Sequence, residues 1–233
     1  MGFLESKYLY LGLLILSISY PLFQSFEWRI KLYKNWKPLF ISIFFMMLLF
    51  IPWDVWFAKE NIWWFSSNYT VGIKFLNLPI EEWLFFIIVP YACVFIYEVL
   101  NFYVKKDFLI SYAGSIFIVS GLLLLILCMF FYDKTYSLVT FFLSGIACFF
   151  MAYKKPPWMG RFLLAYLVSL LPFLLINGAL TGSFTSSPVV NYNPDEIIGF
   201  RILTIPIEDS IYNFLMLLIV ISLFEKFRLE KTY

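Results

Sequence analysis

The chain has 233 residues, of which 62% are hydrophobic and only 14% charged, with a mean hydropathy of +0.85. Soluble domains hold about 45–50% apolar and about 25% charged residues, so this composition excludes a water-soluble domain and predicts an integral membrane protein in contact with lipid. The net charge of +2 gives no footing for nucleic acid, and the absence of histidine removes histidine catalysis, metal ligation and pH switching together. Cys93, Cys128 and Cys148 lie in apolar runs at unrelated spacings, which is neither a disulfide framework nor a metal motif.

A spanning helix needs about 20 apolar residues. Five uncharged runs supply this, and two shorter runs, 83–97 and 210–224, are each preceded by a carboxylate pair, Glu81–Glu82 and Glu208–Asp209. The expectation is an all-α polytopic protein with seven transmembrane helices near 8–26, 38–58, 79–100, 108–132, 135–153, 162–180 and 202–224. Lys and Arg stay on the cytoplasmic side. Of the 17 such residues, twelve fall in the 29–37, 105–106 and 154–161 connections and after the seventh helix (Lys226, Arg228 and Lys231). This puts the N-terminus outside and the C-terminus in the cytoplasm. The first helix has no basic leader and no small-residue cleavage site, so it reads as a retained span of a cell-membrane protein.

Residues 72–82 read GIKFLNLPIEE and residues 199–209 read GFRILTIPIED. Gly72 and Gly199, Pro79 and Pro206, and Glu81 and Glu208 are identical pairs; Lys74 and Arg201, and Glu82 and Asp209, are similar ones. The offset of 127 residues carries the first three helices onto the last three and leaves the fourth as a linker. This predicts a parallel 3+1+3 internal repeat, with units 1–106, 107–133 and 134–233.

Each proline is placed at a helix start, where its missing N–H costs nothing, with Asn77 and Thr204 as cap candidates. Acids in a first turn are also favoured by the helix dipole alone. Four carboxylates at or inside a hydrocarbon boundary are nevertheless expensive, and intramembrane acids are functional candidates by default. Helix neighbours point about 100° apart, so a pseudo-twofold axis brings Glu81 towards Glu208 and Glu82 towards Asp209. Close carboxylates in a low dielectric cannot all ionise. A protonated acid beside an ionised one supplies a proton donor and an acceptor. Asp54, near the outer end of the second helix among tryptophans, is a fifth acid at the same level. Lys74 and Arg201 are possible ion-pair partners for the acids. Trp53, Trp83, Phe85, Phe86 and Tyr212 are candidate substrate rings that suit a carbocation, and Asn177 is a polar candidate within an apolar run. Glu98 and Glu225, matched under the offset, read as interfacial.

LPIEEWLFF (78–86), IPIEDSIYNF (205–214), PWD (52–54) and NGALTG (177–182) together resemble the lycopene cyclase domain family, membrane carotenoid cyclases that occur as two small subunits or as one fused chain. The resemblance covers essentially the whole chain, in the fused form. It implies conversion of lycopene to β-carotene, by way of or ending at γ-carotene, with Glu81, Glu82, Glu208 and Asp209 as the acidic motif and no cofactor or metal. The substrate is a hydrophobic carotenoid taken from the bilayer. The chain has no GxGxxG dinucleotide fingerprint. A small proton- or cation-coupled transporter with parallel three-helix repeats is the competing reading. A retinal protein is excluded, because residues 202–224 contain no lysine for a Schiff base. No motif specifies an oligomeric state.

Overall fold

A computed structural model of the protein describes residues 3–228. Among them are seven α-helices: α1 (Leu9–Gln24), α2 (Trp36–Lys59), α3 (Ile80–Tyr103), α4 (Ile110–Phe130), α5 (Thr135–Lys154), α6 (Met159–Leu180) and α7 (Ile207–Phe227). Six of these are long and apolar enough to cross a membrane, which fits an integral membrane protein. The exception is α1, whose 16 residues rise roughly 24 Å against a hydrocarbon core of about 30 Å. The expected basic residue Lys231 lies outside the described residues.

The expectation of a purely helical chain needs one correction. Among the described residues, six short strands pair as three small antiparallel ribbons: β1 (Trp63–Phe65) with β4 (Val190–Tyr192), β2 (Lys74–Phe75) with β3 (Leu78–Pro79), and β5 (Arg201–Ile202) with β6 (Ile205–Pro206). The last ribbon is why α7 begins at Ile207 rather than near 202. Strands of two or three residues leave no alternation to read, and β1–β4 joins segments more than a hundred residues apart.

The two hairpins are built alike. Lys74 pairs with Pro79 and Arg201 with Pro206. Ile80 N–H donates to the Ile73 carbonyl at 2.9 Å, and Ile207 N–H to the Phe200 carbonyl at 3.1 Å. Gly72 (φ 94°) and Gly199 (φ 86°) enter the hairpins in a conformation that other residues rarely adopt. Pro79 and Pro206 occupy the cap positions, extended and one step ahead of the first helical turn. Asn77 and Thr204 are not caps. Asn77 sits with Leu76 at positive φ in a two-residue turn. The Thr204 hydroxyl instead bonds those of Thr181 (2.7 Å) and Ser183 (2.6 Å) at the end of α6.

In the bundle α1 packs on α3 and α5 on α7, while α3 meets α6 and α2 meets α7. These pairs exchange under the 127-residue offset. By contrast α4 lies against α5 and α6 along one stripe, Ala113, Phe117, Gly121, Leu124 and Cys128. The ends of α3 and α7 remote from the hairpins are clamped by a buried ion cluster. Arg228 donates to Glu98 at 2.9 Å and to Glu225 at 2.6 Å, and Tyr97 donates to Glu225 at 2.8 Å. Glu98 and Glu225 are therefore partners in a shielded cluster rather than independent interfacial charges. Breaking one member of a buried ion pair strands the other charge. Arg228→Ala is expected to destabilise the protein by roughly 3–5 kcal/mol, read as a lowered thermal midpoint in detergent.

Candidate active site

The hairpins deliver both carboxylate pairs to the first turns of α3 and α7, and one member of each pair faces inward. Glu82 and Asp209 line a common pocket with Asp54 of α2. Its other walls include Tyr10, Tyr136, Asn177, Tyr192 and Tyr212, with Trp63, Phe65, Phe85 and Phe173. All three acids are buried.

Their hydrogen bonding differs. Glu82 accepts from the Tyr10 hydroxyl at 2.5 Å. Asp209 accepts three bonds: Tyr136 at 2.8 Å on Oδ1, and Tyr192 and Asn177 each at 2.7 Å on Oδ2. Asp54 Oδ2 has no hydrogen-bond partner, and the Trp63 indole stands beside it outside bonding geometry. Burial, and then the Asp209 carboxylate, hold the Tyr192 phenol well above the ordinary tyrosine range, so it remains a donor.

The other members of the pairs turn away. Glu81 Oε1 accepts from Val71 N–H at 2.6 Å, and Glu208 Oε1 accepts from Ile198 N–H at 2.7 Å and the Ser137 hydroxyl at 2.6 Å. Each thus ties a helix start to backbone ten residues upstream. Neither is among the residues lining the acid pocket. The expected approach of Glu82 to Asp209 is present in the pocket, whereas Glu81 and Glu208 are engaged with their own loops. Lys74 and Arg201 do not neutralise the acids. Lys74 is exposed, and Arg201 bonds the Thr204 carbonyl at 2.5 Å with its guanidinium 5.8 Å from the Tyr192 ring centroid.

Of the candidate rings, Phe85 and Tyr212 line the pocket. Trp53 and Phe86 stand behind it: Trp53 and Phe50 each pack on Tyr212 at 4.9 Å, and Phe86 packs on Phe50. Trp83 caps the first hairpin, donating to the Phe75 carbonyl at 3.2 Å. The sequence reading missed Tyr10, Tyr136 and Tyr192, which hold the acids. Tyr10 and Tyr136 follow the repeat with an offset one residue short of 127, and that match is the signal that could have found them.

Two apolar grooves flank the bundle. One, between α1, α3 and α6, has a volume of about 420 Å³. The other, between α2, α5 and α7, consists of two adjoining hollows of about 510 and 470 Å³ that share Leu49, Ala147, Phe150 and Ile219. The 127-residue offset exchanges them.

The lycopene cyclase family model matches residues 7–100 and 133–227. Curated relatives are bifunctional lycopene cyclase/phytoene synthases. The Aspergillus oryzae protein is 27% identical over 74 residues, covering 32% of this chain and 13% of its own length. The Phaeosphaeria nodorum protein is 31% identical over 75 residues, covering 28% and 13%. The Podospora anserina protein is 30% identical over 91 residues, covering 39% and 14%. The matches thus span only about one seventh of those proteins. No solved structure matches. With most of both halves matched by one family model, this chain belongs to the lycopene cyclase family.

Proposed function

We propose that this protein cyclises the ends of lycopene, giving β-carotene by way of or ending at γ-carotene. The reaction class is an isomerisation, an intramolecular lyase step. The observation that carries the proposal is the convergence of Glu82, Asp209 and Asp54 on one buried pocket walled by aromatic rings. An acid protonates the terminal double bond and leaves a tertiary cation. A neighbouring double bond attacks that cation, the six-membered ring closes, and the charge moves into the ring. A base then removes a ring proton. One proton enters and one leaves, so the balance needs no electron acceptor.

The acids suit different parts of this cycle. Asp209, held by three donors, is the fixed counter-charge beside the cation. Glu82 and Asp54 are the proton-transfer pair, with Tyr10 fixing Glu82. Tyr136, Tyr192, Tyr212 and Trp63 present rings to the cation, and the apolar walls keep out water that would capture it. Glu81 and Glu208 brace the loops that position the acids.

The wider architecture follows the same reading. Seven helices cross the cell membrane as two three-helix halves, 1–106 and 134–233, joined by the 107–133 linker, with the N-terminus outside. The matched hairpins and the two stretches covered by the family model support this division. The substrate comes from the bilayer.

Expression in lycopene-producing bacteria tests the function: lycopene should give way to a cyclic product, and unchanged lycopene with folded protein would sink it. Glu82→Gln, Asp54→Asn and Asp209→Asn should each lower turnover by roughly 100-fold or more while the protein still inserts. Glu208→Gln should instead cost about 1–3 kcal/mol of stability, with the folded fraction keeping most of its activity. Equal inactivation of folded Glu208→Gln would overturn that division of roles. Turnover in D2O should add one deuterium per ring closed, read by mass spectrometry. Product without deuterium would remove protonation by an exchangeable acid.

A further inference from the structure

The two grooves are equivalent in topology but unequal in their connection to the acids. Phe85, Phe173 and Asn177 line both the acid pocket and the α1/α3/α6 groove. No residue lines both the acid pocket and the α2/α5/α7 groove. On that side Tyr212, Phe50 and Trp53 form a wall of packed rings, with Phe50 and Trp53 tilted 5.4 Å apart and each edge-on to Tyr212 at 4.9 Å.

We propose that the carotenoid enters the acid pocket end-on and only through the α1/α3/α6 groove, passing Phe85 and Phe173, so that its two ends are cyclised in separate binding events. This rests on the cyclase reading. The groove is apolar along its length, and its volume of about 420 Å³ lies near the lower end of the roughly 300–1,000 Å³ that holds drug-sized ligands. It takes one end of a forty-carbon chain and leaves the remainder in the bilayer. The acid pocket itself measures about 50 Å³, so an arriving end group must displace side chains at the junction. Phe85 is half-buried and stands at that junction. Pro21 of α1 and Pro172 of α6 line the same groove. Each removes a helical hydrogen bond, and with Pro90 of α3 all three helices of the entrance carry an internal proline, against one of three, Pro52 of α2, around the opposite groove. The opposite groove is lined by no proline.

The test uses full-length protein in liposomes loaded with lycopene. Ala92→Phe narrows the entry groove from α3 and Ser17→Phe narrows it from α1; the second covers the case in which the first does not insert. Ala147→Phe fills the opposite groove as the control. Folded entry-groove variants should lose about tenfold or more in kcat/KM, and the control less than about twofold. At early times free monocyclic carotenoid should build up in the membrane, whether or not a second ring follows. The reverse mutational pattern, or bicyclic product with no free monocyclic stage, would overturn the inference while leaving the cyclase standing. A folded wild type that leaves lycopene unchanged would remove both.

Discussion

Carboxylates are the costliest groups to place in an apolar bundle, and this structure collects five at one level. A buried carboxylate without water needs donors from the protein, and four of the five have them, while Asp54 Oδ2 has none. Glu81 and Glu208 find backbone N–H groups at the mouths of their own hairpins, which makes the loops part of the solvation of the acids. Glu82 and Asp209 find tyrosines from α1 and α5. The hairpins, the β1–β4 ribbon and the tyrosine positions are intelligible as consequences of that requirement. The ribbon carries Trp63 and Tyr192 to the pocket, and the hairpins fix where α3 and α7 begin.

The same requirement divides labour within each acidic pair. Neighbouring residues on a helix diverge by about 100°, so one position cannot serve both the loop and the pocket. The first acid of each pair is tied to its loop and the second lines the pocket, which is the division of roles the proposed mechanism uses. Rigidity at the first supports placement at the second, because a reacting group that drifts by an ångström loses much of its effect. At the opposite end Arg228 with Glu98 and Glu225 applies the same solution to a purely structural task.

The helices were legible because runs of about 20 uncharged residues have few alternatives. The acidic motif was legible because it occurs twice with the same spacing. Which acid of each pair turns inward was not: the angular argument shows that they diverge but not which one faces the axis. Lys74 and Arg201 were candidate partners by proximity in sequence, yet the hairpins carry them to the outside. Tyr10 and Tyr136 are two among 16 tyrosines, and composition alone does not mark them. Tyr192 reaches Asp209 only through a strand pairing between distant segments. Arg228 counted only towards the cytoplasmic excess of basic residues, and nothing in its spacing marked it as the partner of Glu98 and Glu225.

The pair Glu82 and Asp209 differs by one methylene, and their surroundings differ more: one donor for the longer acid, three for the shorter. If the two halves descend from one ancestral unit, the first site had two interchangeable acids and no preferred direction. Loss of that equivalence gave the pocket a polarity, because an end group between unlike acids has a front and a back. On this view the duplication did more than double the chain. Under the proposed mechanism, the copy with three donors is the one that holds charge and the copy with one donor is the one that passes a proton.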